Sequence, residues 1–301
     1  MYRFIPGRKQ MGNFEITSCI EEIGTRSLPA GGFAEQTQGL YRPDSTAWAV
    51  LAFKKAAAGS SHGDNGRAAL ASGQLKDGRV YLPPGDAIWP TPLAVFAWHG
   101  DPQYQESQNR AVELLLKISG TYWSNTPNDP VEHDSSLRGW SWVLGTHSFV
   151  EPTAMALLAL EITRNDSHAR FPEGIRLLLN RQLPQGGWNY GNTRVYGKVL
   201  LPFIDTTGMA LTALAGHTSE ESVKNSINYL RGGVEKCRTP LSLGWALLGL
   251  GAWGIFPDES GRWIEQTLAR QEKFGPYGTS LLSLLALAFL CRGDFRQIFS
   301  E

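Results

Sequence analysis

The sequence predicts an all-α fold, an α/α toroid in which six helical hairpins form a double-layered α6/α6 barrel. Two recurring patterns predict it. The first is Gln182-Leu183-Pro184-Gln185-Gly186-Gly187-Trp188. Partial copies are Gln74-x3-Gly78-Arg79-Val80, Gln271-x3-Gly275-Pro276-Tyr277 and, without the Gln, Ser27-Leu28-Pro29-Ala30-Gly31-Gly32-Phe33. The second is an apolar segment of the form acid-x-Thr-small-x-Ala, clearest at Asp44 to Phe53, Glu151 to Leu160 and Asp205 to Leu214. Degenerate copies run from Trp89 to Trp98, Leu241 to Leu250 and Gly278 to Leu287, which makes six.

These six segments are apolar on every face, as a helix must be when it is covered all round or lines an apolar cavity, so they are expected as the inner helices. Between them lie helices with one apolar face. Ser107 to Lys117 buries Val112, Leu115 and Leu116, and Pro172 to Leu183 opens on a proline suited to a first turn. Ser219 is the expected N-cap of a helix carrying Val223, Ile227 and Leu230, and Ser260 to Arg270 carries Trp263, Ile264 and Leu268. In the Gln-Gly-Trp elements glycine ends a helix and lets the chain turn, and the aromatic packs over the junction. Neither end of the array looks like a polar capping repeat, which predicts a closed ring rather than an open solenoid. The whole chain, 1–301, is therefore expected to be one domain, with insertions at about 121–150 and 189–204 ahead of the third and fourth inner helices. Long loops on a repeat scaffold are where sites are usually built.

Composition narrows the functional classes. Hydrophobic residues make up 42% and charged residues 19%, enough for a large core. Lys plus Arg and Asp plus Glu both number 28, and no basic run could track a phosphate backbone, so a nucleic-acid partner is not expected. Cys19, Cys237 and Cys291 are odd in number and far apart, which suits reduced thiols in a cytoplasmic protein. The stretch Met1 to Lys9 lacks a signal-peptide core, and the longest apolar run, Leu281 to Cys291, is too short to span a bilayer. A peripheral membrane contact is left open, and the residues identify no partner protein.

The Gln-x3-Gly-Gly-Trp element with alternating helices resembles the repeat of the terpene cyclase and protein prenyltransferase superfamily, which includes squalene-hopene cyclases and prenyltransferase β subunits. The resemblance covers nearly the whole chain. It implies the toroid, but its catalytic motifs are incomplete here. Class II cyclases carry Asp-x-Asp-Asp before Thr-Ala-Met-Ala, and Phe203-Ile204-Asp205-Thr206-Thr207-Gly208-Met209-Ala210 keeps only the middle acid. The resemblance implies that this acid, Asp205, protonates an alkene. Glu151 holds the same position in another repeat. Where prenyltransferases place Asp-x-Cys as zinc ligands, Thr207 replaces the Cys, and no two Asp residues are adjacent to bind magnesium, so no metal or cofactor is expected.

Asp205 and Glu151 are thus the candidate catalytic acids. An acid before Thr at a helix start is also a good N-cap, an explanation that applies to Asp44 and Glu151 more than to Asp205. The candidate substrate-binding aromatics are Trp48, Trp89, Trp98, Trp142, Phe203 and Trp245, drawn from a chain with ten tryptophans. Ring faces in an apolar cavity stabilise carbocations and cover an isoprenoid chain. Trp188 is expected to be structural. Arg194, Tyr196 and Lys198 on the second insertion are candidates for a diphosphate or other anion. Glu132-His133-Asp134 and His147 form the remaining polar cluster. The leading expectation is an isoprenoid-handling enzyme with acid-initiated cyclisation of a hydrophobic small molecule. The rivals are a non-catalytic toroid that binds a lipid or protein, and a carbohydrate-active toroid using two carboxyls.

Overall fold

In the computed structural model of the protein, residues 11–57, 60–82, 86–126 and 129–300 are described. The stretch Met1 to Lys9, where no signal-peptide core is expected, lies outside them. The chain runs through α1 (Met11–Gly24), α2 (Pro43–Lys55), α3 (Ser60–Ser72), α4 (Pro90–Trp98), α5 (Gln105–Lys117) and α6 (Val150–Ile162). It continues through α7 (Arg170–Asn180), α8 (Ile204–Leu214), α9 (Glu220–Gly233), α10 (Pro240–Gly251), α11 (Ser260–Leu268), the one-turn α12 (Gln271–Phe274) and α13 (Thr279–Leu290). The six segments expected as inner helices are α2, α4, α6, α8, α10 and α13. Each packs on the next, and α13 packs back on α2, so the ring closes. Helices α1, α3, α5, α7, α9 and α11 form the outer layer. Among the described residues no helix is long and apolar enough to cross a membrane.

One connection recurs at the base of the inner helices. The loop aromatic, or Val80 in its place, donates its backbone N–H to a threonine hydroxyl in the next inner helix. Phe33 donates to Thr46 at 2.9 Å, Val80 to Thr91 at 3.1 Å, Trp140 to Thr153 at 3.0 Å and Trp188 to Thr207 at 2.9 Å. The threonines are 0% exposed. The aromatic side chain meanwhile reaches back to the preceding outer helix: Trp188 Nε1 donates to the Leu178 carbonyl at 2.7 Å, and Trp140 Nε1 to the Leu115 carbonyl at 2.9 Å. The glutamine of the element reaches forward. Gln182 Nε2 donates to Ser226 Oγ of α9, and Gln74 Nε2 to the Ser107 carbonyl of α5. The Gln182 to Trp188 element therefore ties three helices together, and Trp188 has a structural part. Trp140 holds the equivalent place in the third hairpin although no glutamine precedes it.

Two glycines show why these positions tolerate no side chain. Gly187 sits at φ +80°, where a Cβ would also come within 2.7 Å of Pro202 Cβ. In α8, a Cβ on Gly208 would stand 2.1 Å from the Trp245 carbonyl oxygen, so α8 and α10 approach backbone to backbone. This accounts for glycine where the related cyclase motif has alanine.

The helix starts differ from the N-cap expectation. Ser219 does cap α9, accepting from the Ser222 N–H. Asp44, Glu151 and Asp205 do not cap: each lies inside the first turn, and the flanking Arg42, Phe149 and Phe203 at the cap positions make no side-chain cap bond. Their threonines satisfy loop donors instead, and of the three acids Asp44 and Glu151 line the space in the middle of the ring.

At the far end the ring is plugged by the C-terminal 3-10 turn Phe295–Ile298. Phe295 is 0% exposed and packs edge-on to Phe96 and Trp48. Arg296 fixes the plug through a two-point ion pair with Glu161, both contacts at 2.8 Å, and bonds to the Thr212 and Ala215 carbonyls.

Replacing Thr207 by Val keeps the shape and leaves the Trp188 N–H buried without an acceptor. Urea unfolding is expected to show a loss of about 1–3 kcal/mol, and Thr207→Ser is expected to recover most of it. Equal losses for both variants would mean that packing, not the hydrogen bond, holds this junction.

Candidate functional site

The first two turns of the inner helices surround a central cavity of about 330 Å3. Nearest the mouth are Asp44, Glu151, Pro152, Leu241, Ser280 and Leu281 from the helix starts, with Trp89 just ahead of α4 and Glu35 from the loop before α2. One turn deeper come Trp48, Leu93, Met155, Met209, Trp245 and Leu284. The positions follow from helix periodicity: a residue four places after a first-turn residue lies below it on the same face, as with Asp44 and Trp48, Glu151 and Met155, and Ser280 and Leu284. Trp48 meets Trp245 edge-on at 6.0 Å between ring centroids, and both rest on Phe295 of the plug, which packs beneath this floor.

Three carboxyl groups line this cavity, each in a different electrostatic setting. Asp44 is 5% exposed and held by Arg42 through two contacts, Nε to Oδ1 at 2.9 Å and Nη2 to Oδ2 at 2.7 Å. Glu35 Oε2 accepts from Ser45 Oγ at 2.6 Å, Ser280 Oγ at 2.9 Å and the Ser280 N–H at 3.2 Å. Glu151 has no cation beside it. Burial pushes its pKa up to about 7; a hydrogen bond from Trp142 opposes the rise and the nearby Asp205 charge adds to it. At neutral pH the cavity therefore offers a carboxyl group that is partly protonated, and in the same space a carboxylate held by arginine.

Of the residues expected at a site, the structure brings Glu151, Trp48, Trp89 and Trp245 together around the cavity. Asp205 is half-buried in the first turn of α8, beside the cavity lining rather than in it, although Met209 one turn on does line it. Trp142 stands behind the wall, stacked on Phe149 at 4.3 Å, and contacts the cavity only through Glu151. Phe203 is 41% exposed and packs on Tyr190. Trp98 is 1% exposed and lies between the layers, with Nε1 donating to the Arg67 carbonyl of α3. Arg194 and Lys198 lie on a two-stranded hairpin, β1 (Arg194–Val195) and β2 (Lys198–Val199), with Tyr196 at its turn. Arg194 reaches Glu132 at 3.3 Å, and Tyr196 is 82% exposed. None of these three lines the cavity. Glu35 was not expected. Its only sequence signal is its place two residues after the Gly31-Gly32-Phe33 turn. Among the described residues no three His, Cys, Asp or Glu side chains are grouped to hold a metal ion.

Fold and site together define an α/α toroid with an aromatic, carboxyl-bearing central cavity. The sequence matches no protein-family profile and no curated relative. Solved structures do share the fold. The GH76A α-1,6-mannanase of Salegentibacter sp. HEL1_6 aligns over 94% of this chain and 99% of its own at 14% identity, with a TM-score of 0.59. An inactive variant of it in complex with α-1,6-mannotetrose gives 0.62 over 93% of this chain and 100% of that one, also at 14% identity. The type II terpene cyclase MstE from Scytonema gives 0.55 at 12% identity, over 92% of this chain and 99% of that one. At such identities the likeness establishes the toroid fold, and the chemistry has to be argued from the cavity.

The raised Glu151 pKa has a signature in stability. Between the ordinary value of 4.5 and about 7 the folded protein holds a proton that the unfolded chain has released. The stability from this group is therefore fully present below 4.5 and lost as pH rises through 7. The urea midpoint is expected to fall from about pH 5 to about pH 8, and to fall less in Glu151→Gln, which stays neutral throughout. An identical slope in both proteins would assign the pH dependence to other groups.

Proposed function

We propose that the protein carries out acid-initiated chemistry on a small apolar molecule bearing a carbon–carbon double bond, of the isoprenoid kind, with Glu151 as the proton donor. The single observation that carries this is a carboxyl group with no cation in contact, inside a cavity walled by Trp48, Trp89, Trp245, Met155 and Met209, where burial pushes its pKa up to about 7. An acid that must give its proton to an alkene has to remain neutral until the substrate is in place, and burial without a counter-cation achieves that. Indole faces then attract the cation that forms, and the apolar wall keeps water from quenching it. This moves the acid from Asp205 to the equivalent position one repeat earlier. Asp205 remains close enough to keep the Glu151 proton in place.

A specific observation favours a second reading, hydrolysis of a glycan. Glu151 and Asp44 line one cavity, the first partly protonated and the second paired to arginine, which is the division of labour between a general acid and its carboxylate partner in glycoside cleavage. Against it, few groups other than the carboxyls and Ser280 could receive sugar hydroxyls in a lining otherwise made of tryptophan, methionine, leucine and proline.

The deciding experiment is incubation with squalene, farnesyl diphosphate, geranylgeranyl diphosphate and α-1,6-mannotetraose, with products followed by mass spectrometry. Turnover of an isoprenoid is expected, falling by about 100-fold or more in Glu151→Gln and much less in Asp205→Asn. Loss in Asp205→Asn alone would return the acid to α8. Cleavage of the mannoside, abolished in both Glu151→Gln and Asp44→Asn, would replace this reading with the second. Inertness towards all four, without binding, would favour a non-catalytic toroid.

A further inference from the structure

The first insertion builds a second cavity, of about 320 Å3, that shares no lining residue with the central one. Its walls come from residues 121–149, the end of α7 and the start of the second insertion. Its apolar side includes Trp123, Val131, Leu137 and Phe149. Its polar side is built around Arg181, 4% exposed, which comes directly after α7.

This arginine is buried with no carboxylate in direct contact; the Asp134 charge acts on it from farther off, and that carboxylate is held by Ser136. Its Nη1 donates to the Asp134 carbonyl at 3.0 Å and to Asn180 Oδ1 at 2.5 Å, both neutral acceptors. Among the described residues it forms no ion pair, and no acceptor takes its Nε or Nη2 donors. Burial lowers its pKa to about 10, which leaves it charged at neutral pH. Two further polar side chains in the lining are short of partners: His133, 8% exposed, has no partner for Nδ1, and Ser135, 4% exposed, has none for Oγ. Burial and the nearby Arg181 charge lower the His133 pKa to about 4, so the ring is neutral at pH 7. Asp129 is the carboxylate in the lining, and it is engaged by its own turn, accepting from the Thr126 N–H at 2.8 Å and Thr126 Oγ1 at 3.1 Å. His147, also in the lining, bonds Thr121 Oγ1 through Nδ1 at 2.8 Å and lies against Trp123 at 4.9 Å.

A buried guanidinium with no carboxylate in contact is costly, and its planar fork fits the oxygens of a carboxylate or phosphate. The unpartnered histidine nitrogen and serine hydroxyl lie behind the same wall, so the polar group that the cavity presents is the arginine. We infer that this cavity binds a small organic anion, its oxyanion on Arg181 and its apolar body against Trp123 and Phe149. The inference does not depend on what reacts in the central cavity.

The test is calorimetric titration of the whole chain with benzoate, phenyl phosphate and benzamide, two aryl anions and a neutral aryl control. Saturable binding of at least one anion is expected, with the neutral amide weaker by about tenfold or more. The stronger anion identifies the carboxylate or the phosphate as the preferred group. Arg181→Met should weaken anion binding by about tenfold or more, whereas Glu151→Gln in the other cavity should leave it unchanged. If circular dichroism shows that Arg181→Met is unfolded, Trp123→Ala at the exposed wall decides instead, with a loss of about threefold or more expected. The inference is overturned if benzamide binds as tightly as the anions, if neither anion binds, if a folded Arg181→Met binds unchanged, or if Glu151→Gln abolishes binding. Unchanged binding in Trp123→Ala, where that variant has to decide, overturns it equally.

Discussion

The hydrogen bond from a loop N–H to a threonine hydroxyl at the base of an inner helix is the contact on which the rest of this architecture depends. A backbone donor at the junction of two layers cannot reach water, and leaving it unmade costs about 1–3 kcal/mol. Placing the acceptor on the inner helix fixes how far the loop advances before that helix begins. The same loop residue anchors its indole on the preceding outer helix at Trp140 and Trp188, and the glutamines at 74 and 182 bind the following one. Four of the six inner helices are set in this way, at Thr46, Thr91, Thr153 and Thr207, and the contacts of Thr279 with Ala34 and Glu35 close the ring. With the threonine engaged in the loop, the acid two residues earlier lines the interior at Asp44 and Glu151. The site is a by-product of the junction.

The three carboxyl groups of the cavity show how one scaffold gives different surroundings to the same chemical group. Asp44 is met by a guanidinium and Glu35 by two hydroxyls and an N–H. Glu151 is met by a single indole donor and stands near Asp205, so for it desolvation wins. What separates them is the occupant of one neighbouring position: Arg42 precedes Pro43-Asp44, whereas Phe149 and Val150 precede Glu151. The chemistry offered by equivalent repeat positions is thus tuned by the residue at the cap of each helix, without altering the backbone.

Most of the fold was legible in the sequence because the junction recurs. Glycine pairs, an aromatic and a threonine at the start of an apolar segment mark each turn, and the inner segments fall where these marks put them. The third junction carries a weaker mark, yet Gly139-Trp140 lies thirteen residues before Thr153, the same spacing as Phe33 to Thr46, and that spacing would have revealed it. The site was less legible. The acids were expected to cap helices because cap preference is a local property, while here a tertiary partner claims the threonine and frees the acid. Trp98 and Trp245 look alike on apolar helices, and only the packing direction sends one between the layers and the other into the cavity. Arg181 follows a helix like many solvent-facing arginines, and nothing near it in sequence predicts that an insertion some fifty residues earlier will cover it.

Glu35 was invisible for a related reason, and its position bears on how the cavity forms. Its partner Ser280 lies 245 residues away, on the last inner helix. Next to this contact Thr279 Oγ1 donates to the Ala34 carbonyl at 2.6 Å, the Thr279 N–H donates to the Glu35 carbonyl at 2.9 Å, and the buried Arg26 spans both segments. The seam between the first and last repeats is therefore also part of the cavity wall. The floor is likewise supported by the end of the chain, through Phe295 and the Arg296–Glu161 pair. An open array of the same hairpins could satisfy every local junction and still have neither a complete wall nor a supported floor. The desolvation that holds the Glu151 proton thus exists only once the ring has closed, which ties the acidity of one side chain to the completion of the whole fold.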